Sequence, residues 1–326
     1  MKKAGILLLI AILIAGAYFK FDYLAEPTYP EDPELFVIES GSSVRAIARQ
    51  LEQEGWIRSA RLFEIYVIIN DYQGRLQAGT YQFETGDDIF QIANQIVSGR
   101  AANFRVTIPE GFTINEIISR LADFDHLDEE ELLNALDDQV LIRDYFPDES
   151  EVVWPQEGFL FPDTYNLSYE MEPVDIFNSM INRFESHWLE ELENNKNSYT
   201  INEYVTMASL IEKEAQLNEE KPLIAGVIYN RLAQNMRLQL DATVQYALEE
   251  RVSRVLYGHL EIESPYNTYL NSGLPPGPIA SPGDNALAAV LEPEDSDYLF
   301  YFARPDGSHI FTKSYEEHLE RLREFR

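Results

Sequence analysis

Three times in the first 121 residues of this chain, a short apolar segment leads through a glycine and a polar residue into an amphipathic stretch. Ser40-Gly41 precedes Val44, Ile47 and Leu51; Thr85-Gly86 precedes Ile89, Ile92 and Ile96; Glu110-Gly111 precedes Ile114, Ile117 and Leu121. Each time the apolar residues stand three, six and ten positions after the glycine. Phe36-Val-Ile38, Tyr81-Gln-Phe83 and Val106-Thr-Ile108 lie just upstream of the three glycines. The pattern predicts a strand, a glycine turn and then a helix with one apolar face. The helix is capped by Ser42 or Ser43, by Asp87 or Asp88, and by Thr113. Unequal distances between the copies argue against a stacked solenoid. The expected fold class is therefore α+β.

The first copy, with Gly55-Trp-Ile57 and a helix around 60–70, forms a small α+β module over 35–103. Its strand, glycine, serine and helix resemble a LysM-type module, a fold associated with glycan chains. Glycan binding and simple packing or positioning of the neighbouring domain both fit its residues. Residues 104–326 make a second, mixed α+β domain, with helices around a small sheet. Within it, 123–151 is acidic, with Leu132, Leu133, Leu136 and Leu141 as its apolar positions, and reads as a solvated lid or arm. Residues 173–195 read as a long amphipathic helix, and Pro222 suits the first turn of another that ends near Asn230-Arg231. Asp241 reads as the N-cap of the next helix. Residues 264–283 are too rich in Pro, Gly, Tyr and Asn for helix and read as an ordered groove wall. Residues 298–303 and 309–313 form a hairpin, and a last helix follows from Tyr315.

The helix over 205–216 carries an apolar stripe through Met207, Leu210 and Ile211, and Glu214 is the next position on it. Glu212 lies roughly 200° away and points to solvent or to a supporting position. A carboxyl on the apolar side has its pKa raised by desolvation, as a general acid needs. The same spacing also fits a Glu214 at the stripe's edge that reaches into water.

Before the module, Lys2 and Lys3 precede an uncharged run over 4–19 that ends at Lys20. Residues 1–20 read as a membrane anchor with its N-terminus in the cytoplasm and the rest exported. The rival is a cleaved signal peptide, since Ala15-Gly-Ala17 resembles a cleavage site. Residues 21–34, acidic and carrying Pro27, Pro30 and Pro33, form a linker that lifts the domains off the membrane.

Chemistry is narrowed by what is missing. The net charge of −31 argues against a nucleic-acid partner. The chain has no cysteine, so disulfides, thiolate metal sites and a cysteine nucleophile are excluded. His126, His187, His259, His309 and His318 are not paired at metal-ligand spacing, and no HExxH, GxSxG, GxGxxG or phosphate-binding loop occurs, so no metal or cofactor is expected. Carboxylates and aromatics beside Asn, Thr and Gln remain. Those are the materials of a carbohydrate site, where aromatic faces stack on sugars and a carboxylic acid protonates a glycosidic oxygen. Glu157, Asp163 and Asp241 are further candidate carboxylates. Asp163 also reads as a turn former and Arg231 as the partner of a carboxylate within the fold.

Ala208-Ser-Leu-Ile-Glu-Lys-Glu214, Asn230-Arg-Leu232, Arg237-Leu-Gln-Leu-Asp241, Tyr266-Asn-Thr-Tyr269 and Gly273-Leu-Pro-Pro-Gly-Pro-Ile-Ala280 resemble the endolytic murein transglycosylases, the YceG-like proteins. Glu157-Gly-Phe-Leu-Phe-Pro-Asp-Thr-Tyr165 fits as well. The resemblance spans the chain, with its acidic balance and the 123–151 stretch as individual features. It implies cleavage of peptidoglycan strands between N-acetylmuramic acid and N-acetylglucosamine, leaving 1,6-anhydro ends and terminating nascent strands at the plasma (inner) membrane beside the cell-wall synthases. It implies that Glu214 is the catalytic acid and then base. It further implies that Glu157, Tyr165, Asn230, Arg231, Gln239, Asp241, Tyr266, Asn267, Thr268 and Tyr269 are substrate-binding candidates. Two readings compete. One is a muramidase-type hydrolase with Glu214 as acid and Glu157 or Asp241 as base. The other is a non-catalytic glycan-binding scaffold of the wall-synthesis complex.

Overall fold

The computed structural model describes residues 35–146, 152–195, 199–248, 252 and 255–324. The expected anchor over 1–20 and linker over 21–34 lie outside the described residues. Among the described residues, no helix is long and apolar enough to cross a membrane. The chain divides into two compact units, residues up to Phe104 with Asn166–Glu170, and Arg105–Tyr165 with the chain from Met171 onward.

In the first unit, β1 (Phe36–Ile38) leads to α1 (Val44–Gln53) and α2 (Ala60–Ile69), and β2 (Gly79–Tyr81) leads to α3 (Ile89–Ser98). β1 and β2 are antiparallel, with Phe36 opposite Tyr81. The turn glycines Gly41 and Gly86 adopt φ of 83° and 107°, a region open to glycine without strain. The caps fall on Ser43, which accepts from the Ala46 amide, and on Asp88, which forms a reciprocal capping box with Gln91. The helices' apolar faces close over Phe36, Trp56, Phe63, Tyr81 and Phe83, with Trp56 edge-on to Phe83 at 5.3 Å. The second strand lies two residues earlier than the apolar pattern suggests, because Tyr81 must end it to face Phe36.

The third copy of the pattern begins in the last residues of the first unit and continues into the second. β3 (Asn103–Thr107) pairs with β4 (Thr164–Ser168), and Gly111 (φ 77°) turns the chain into α4 (Ile114–Ala122), capped by Thr113 and Glu116. α5 (Glu129–Ala135) follows. α6 (Pro173–Phe184) runs through one wide turn at Glu185–Leu189 into α7 (Glu190–Glu193). Next come α8 (Ile201–Glu214), α9 (Lys221–Ala233), α10 (Asp241–Ala247) and α11 (Asp284–Leu291). The hairpin of β5 (Phe300–Ala303) and β6 (His309–Thr312) leads into α12 (Tyr315–Glu324). The architecture is α+β, with two-stranded sheets in place of one larger sheet.

α8 is the axis of this unit. Thr200 and Glu203 cap its start, every residue from Tyr204 to Ile211 is buried, and it packs against α9, α10 and α11. The stripe through Met207, Leu210 and Ile211 is thus only one of its covered faces. The 264–283 segment has neither helix nor strand and is laid onto α8 by polar contacts: Ile279 N donates to Ser209 Oγ and Asn202 Nδ2 to Pro276 O. Gly158 lies beneath it, where a side-chain carbon would come within 2.4 Å of Pro278. The described part of 123–151 is not the solvated arm its acidity suggests. Leu132, Leu136 and Leu141 are buried, and Arg143 bonds Glu185 and Asn178.

Candidate active site

The side chains that matter converge on the short helix α10. Glu214 is the last residue of α8. Its carboxyl accepts from Tyr301 Oη at 3.1 Å and from the Ala242 amide in the first turn of α10. Desolvation raises its pKa, and the nearby Asp241 adds to this. Tyr301, His309 and the Ala242 amide work against it. Glu214 still keeps some accessible surface, as a group that exchanges a proton with a ligand must.

Tyr301 is held by the hairpin. Its ring meets His309 edge-on at 5.4 Å, and Glu220 fixes His309 by accepting from its backbone amide (2.9 Å) and bonding its Nδ1 (2.7 Å). The Arg231 guanidinium donates to Leu299 O and Leu238 O and lies over the Phe300 ring at 5.2 Å. Burial lowers its pKa, with Tyr301 and Glu214 pulling it back up.

Further along α10, Tyr246 donates to Glu157, and its ring packs against Tyr266 at 4.8 Å. Glu157 is 2% exposed and also accepts from the Ile114 amide at the start of α4. Burial raises its pKa to about 7, against the pull of Ile114 and Tyr246. The sign follows from that direction. A carboxyl with a folded-state pKa above its ordinary value near 4.5 adds stability at low pH and loses it as pH rises toward about 7. That loss amounts to at most roughly 3 kcal/mol. Urea unfolding of E157Q at pH 4.5 and pH 7.5 is expected to show a smaller stability difference than wild type; an unchanged difference would contradict the assignment.

Of the residues singled out by sequence, Glu214, Glu157, Asp241, Tyr266 and Tyr269 gather around α10. Tyr269 Oη donates to Asp241 at 2.6 Å. Asp241 is not the N-cap: that position is Leu240, and the Asp241 side chain serves Tyr269 instead. Gln239 is exposed at the same end, in a left-handed conformation (φ 51°) uncommon for a residue with a side chain. Thr268 and Asn267 are buried within the loop: Thr268 bonds Thr243 and the Leu240 amide, while the Asn267 amide donates to Leu260 O and Ile262 O. Asn230 ties α9 to the chain before β5 through Ser296 O and Tyr298 O. Tyr165 is turned onto Phe161 O and stands outside the group. Asp163 pairs with Arg183.

Glu212 does not point to water. It pairs with the buried Lys221 at 3.0 Å and accepts from the Gly283 amide at 3.1 Å. Tyr301, His309 and Glu220 carry no sequence signal of a site beyond the hairpin alternation that sets Tyr301 apart from Phe300 and Phe302. Tyr246 carries none either: it shares a face with Ala242, whose part in the site only the structure shows. Among the described residues, no group of three His, Asp or Glu side chains is placed to hold a metal ion.

The comparisons with known proteins agree with one another. The model of the YceG-like family matches residues 36–324. An endolytic murein transglycosylase of Bacillus subtilis (strain 168) is 38% identical over 323 residues, covering 94% of this chain and 89% of that protein. One from Streptococcus pneumoniae serotype 2 is 29% identical over 346 residues; the match covers 96% of this chain and 63% of that longer protein. A crystal structure of a YceG-like protein from Listeria monocytogenes superposes with a TM-score of 0.62 at 35% identity, over 89% of this chain and all of the other. With a match that runs through both units and across every element around α10, the chain belongs to the YceG-like family.

Proposed function

We propose that this protein is an endolytic murein transglycosylase that cuts peptidoglycan glycan strands between N-acetylmuramic acid and N-acetylglucosamine, with Glu214 as its catalytic acid and base. The observation that carries the assignment is the setting of Glu214: a desolvated, partly accessible carboxyl bonded to Tyr301 and to the first turn of α10. The protonated carboxyl gives its proton to the glycosidic oxygen as the bond from that oxygen to the anomeric carbon breaks. The sugar's own 6-hydroxyl then attacks the anomeric carbon and returns its proton to the carboxylate. Atoms balance without water, and Glu214 ends as it began. A hydrolase would need a second carboxylate to activate water. Here Asp241 is engaged by Tyr269, and Glu157 by Ile114 and Tyr246. Tyr301 positions the acid, and Glu220 through His309 positions Tyr301.

The family relationship and the strand-turn-helix build of residues 35–103 support the wider reading. In it, residues 1–20 anchor the chain in the plasma membrane, the LysM-like module holds glycan, and the second unit works outside the cytoplasm on strands issued by the synthases. Mass spectrometry of strands digested by the full chain is the test. The expected products end in 1,6-anhydro-N-acetylmuramic acid; products with only reducing ends would overturn the proposal in favour of a hydrolase.

A further inference from the structure

Beside Glu214 lies a cavity of about 320 Å³, walled by Asn115, Trp154, Glu157, Lys213, Gln245 and Tyr246 among others. Glu214 is not itself in the wall, but its chain neighbour Lys213 and Ala242, whose amide holds the Glu214 carboxyl, both are, so the cavity lies one residue from the reacting centre. Its volume is at the small end of the roughly 300–1,000 Å³ typical of ligand pockets, suited to a short substituent rather than a run of sugars.

The charges in this wall are unevenly matched. Glu157 accepts from the Ile114 amide and Glu116 from the Thr113 amide, so both acids are drawn to the amino end of α4, where negative charge is stabilised. Among the described residues of the wall, Lys213 is the only cation. Its ammonium donates to a neutral acceptor, Gly111 O, at 3.0 Å, and among the described residues it forms no ion pair. Its charge is therefore not neutralised by a carboxylate among the described residues. Around it are two aromatic faces, Trp154 and Tyr246, and two amides, Asn115 and Gln245. Amides match peptide groups, aromatic faces match small apolar side chains, and an ammonium matches a carboxylate. A strand stripped of its stems offers only the lactyl carboxylate, with no peptide group or apolar side chain beside it. The short peptide carried on the lactyl group of N-acetylmuramic acid offers all three.

We propose that this cavity is a subsite for the peptide stem of the muramyl sugar, with Lys213 binding a stem carboxylate. The inference rests on the peptidoglycan reading of the site. It makes the enzyme prefer strands that still carry acidic stems, and it places the stem-bearing sugar next to Glu214.

The test is equilibrium binding to the full chain of two probes: N-acetylmuramyl dipeptide with a free carboxylate, and its neutral carboxamide. Wild type is expected to bind the acid about tenfold more tightly than the amide, in keeping with one charge-assisted hydrogen bond. K213M is expected to lose that preference and K213R to retain most of it, with circular dichroism confirming that both are folded. Should K213M be unfolded, W154A offers a second reading, with the acid and the amide both weakened. Equal binding of acid and amide by wild type, a preference intact in K213M, tighter binding of the amide, or no binding of either probe would each overturn the proposal. Strand cleavage is measured separately. Acid-selective binding without any cleavage would leave the subsite standing and remove the transglycosylase reading; cleavage without acid selectivity would do the reverse.

Discussion

E214Q is expected to lose strand cleavage by about 10²- to 10⁴-fold while its unfolding midpoint does not fall, because only the proton transfer is removed. The amide keeps the size of the carboxyl. Its oxygen can still accept from Tyr301, so the packing around α10 is preserved. It cannot give up a proton at neutral pH, and both halves of the proposed cycle need that proton. The environment also raises the Glu214 pKa, so a larger share is protonated near neutrality than for an ordinary glutamate. The wild-type kcat/KM should fall as pH rises through that raised value, since the acid form starts the reaction. E212Q is the informative control. It alters the neighbouring glutamate without touching the proposed proton path, and it weakens the pairing with Lys221. It is expected to lose stability first, with activity following the folded fraction. E214Q cleaving at the wild-type rate would sink the assignment of Glu214.

The difference between the two glutamates shows what the sequence made legible. Helical spacing puts them on different faces, and in the fold they have different partners, Tyr301 for Glu214 and Lys221 for Glu212. It misses that α8 is covered on all sides, because periodicity records one stripe at a time and α9, α10 and α11 arrive from other parts of the chain. Glu212 therefore meets a buried lysine in place of water. The three strand-turn-helix starts were legible because glycine turns and side-chain caps act within a few residues. The hairpin was legible for the same reason. The partners of Glu214 were not. Tyr301 lies 87 positions away and His309 is fixed by Glu220 across 89, and no local signal reports such pairings. Residues 123–151 misled because surface acids dominate their composition, while the few leucines that dock them are sparse. Asp241 misled because a cap and a first-turn residue differ by one position; in the fold its oxygen is taken by Tyr269.

K221M is expected to destabilise the fold strongly. Lys221 is 2% exposed, and its ammonium lies 3.0 Å from one Glu212 oxygen and 3.9 Å from Glu110. Burial and the Glu212 charge already raise the Glu110 pKa, and Lys221 is the charge that opposes the rise. Methionine fills the space but leaves two crowded carboxylates without their counter-charge. Breaking a buried pair in this way costs about 3–5 kcal/mol. For a unit of this size that is a fall of roughly 10 °C in unfolding midpoint at neutral pH. Acidification should restore much of the loss, because protonating Glu110, whose pKa burial and the Glu212 charge already raise, removes the repulsion. Wild type gains nothing of this kind from its intact pair. The double variant E212M/K221M should recover most of the loss at neutral pH, since an apolar pair in place of a buried ion pair is often neutral. Its residual deficit would report the second task of Glu212, which holds the Gly283 amide and with it the end of the 264–283 wall. Thermal unfolding of the three proteins at pH 5 and pH 7.5 reads all of these differences. A K221M midpoint equal to wild type at both pH values would mean that the cluster carries no net weight in the fold.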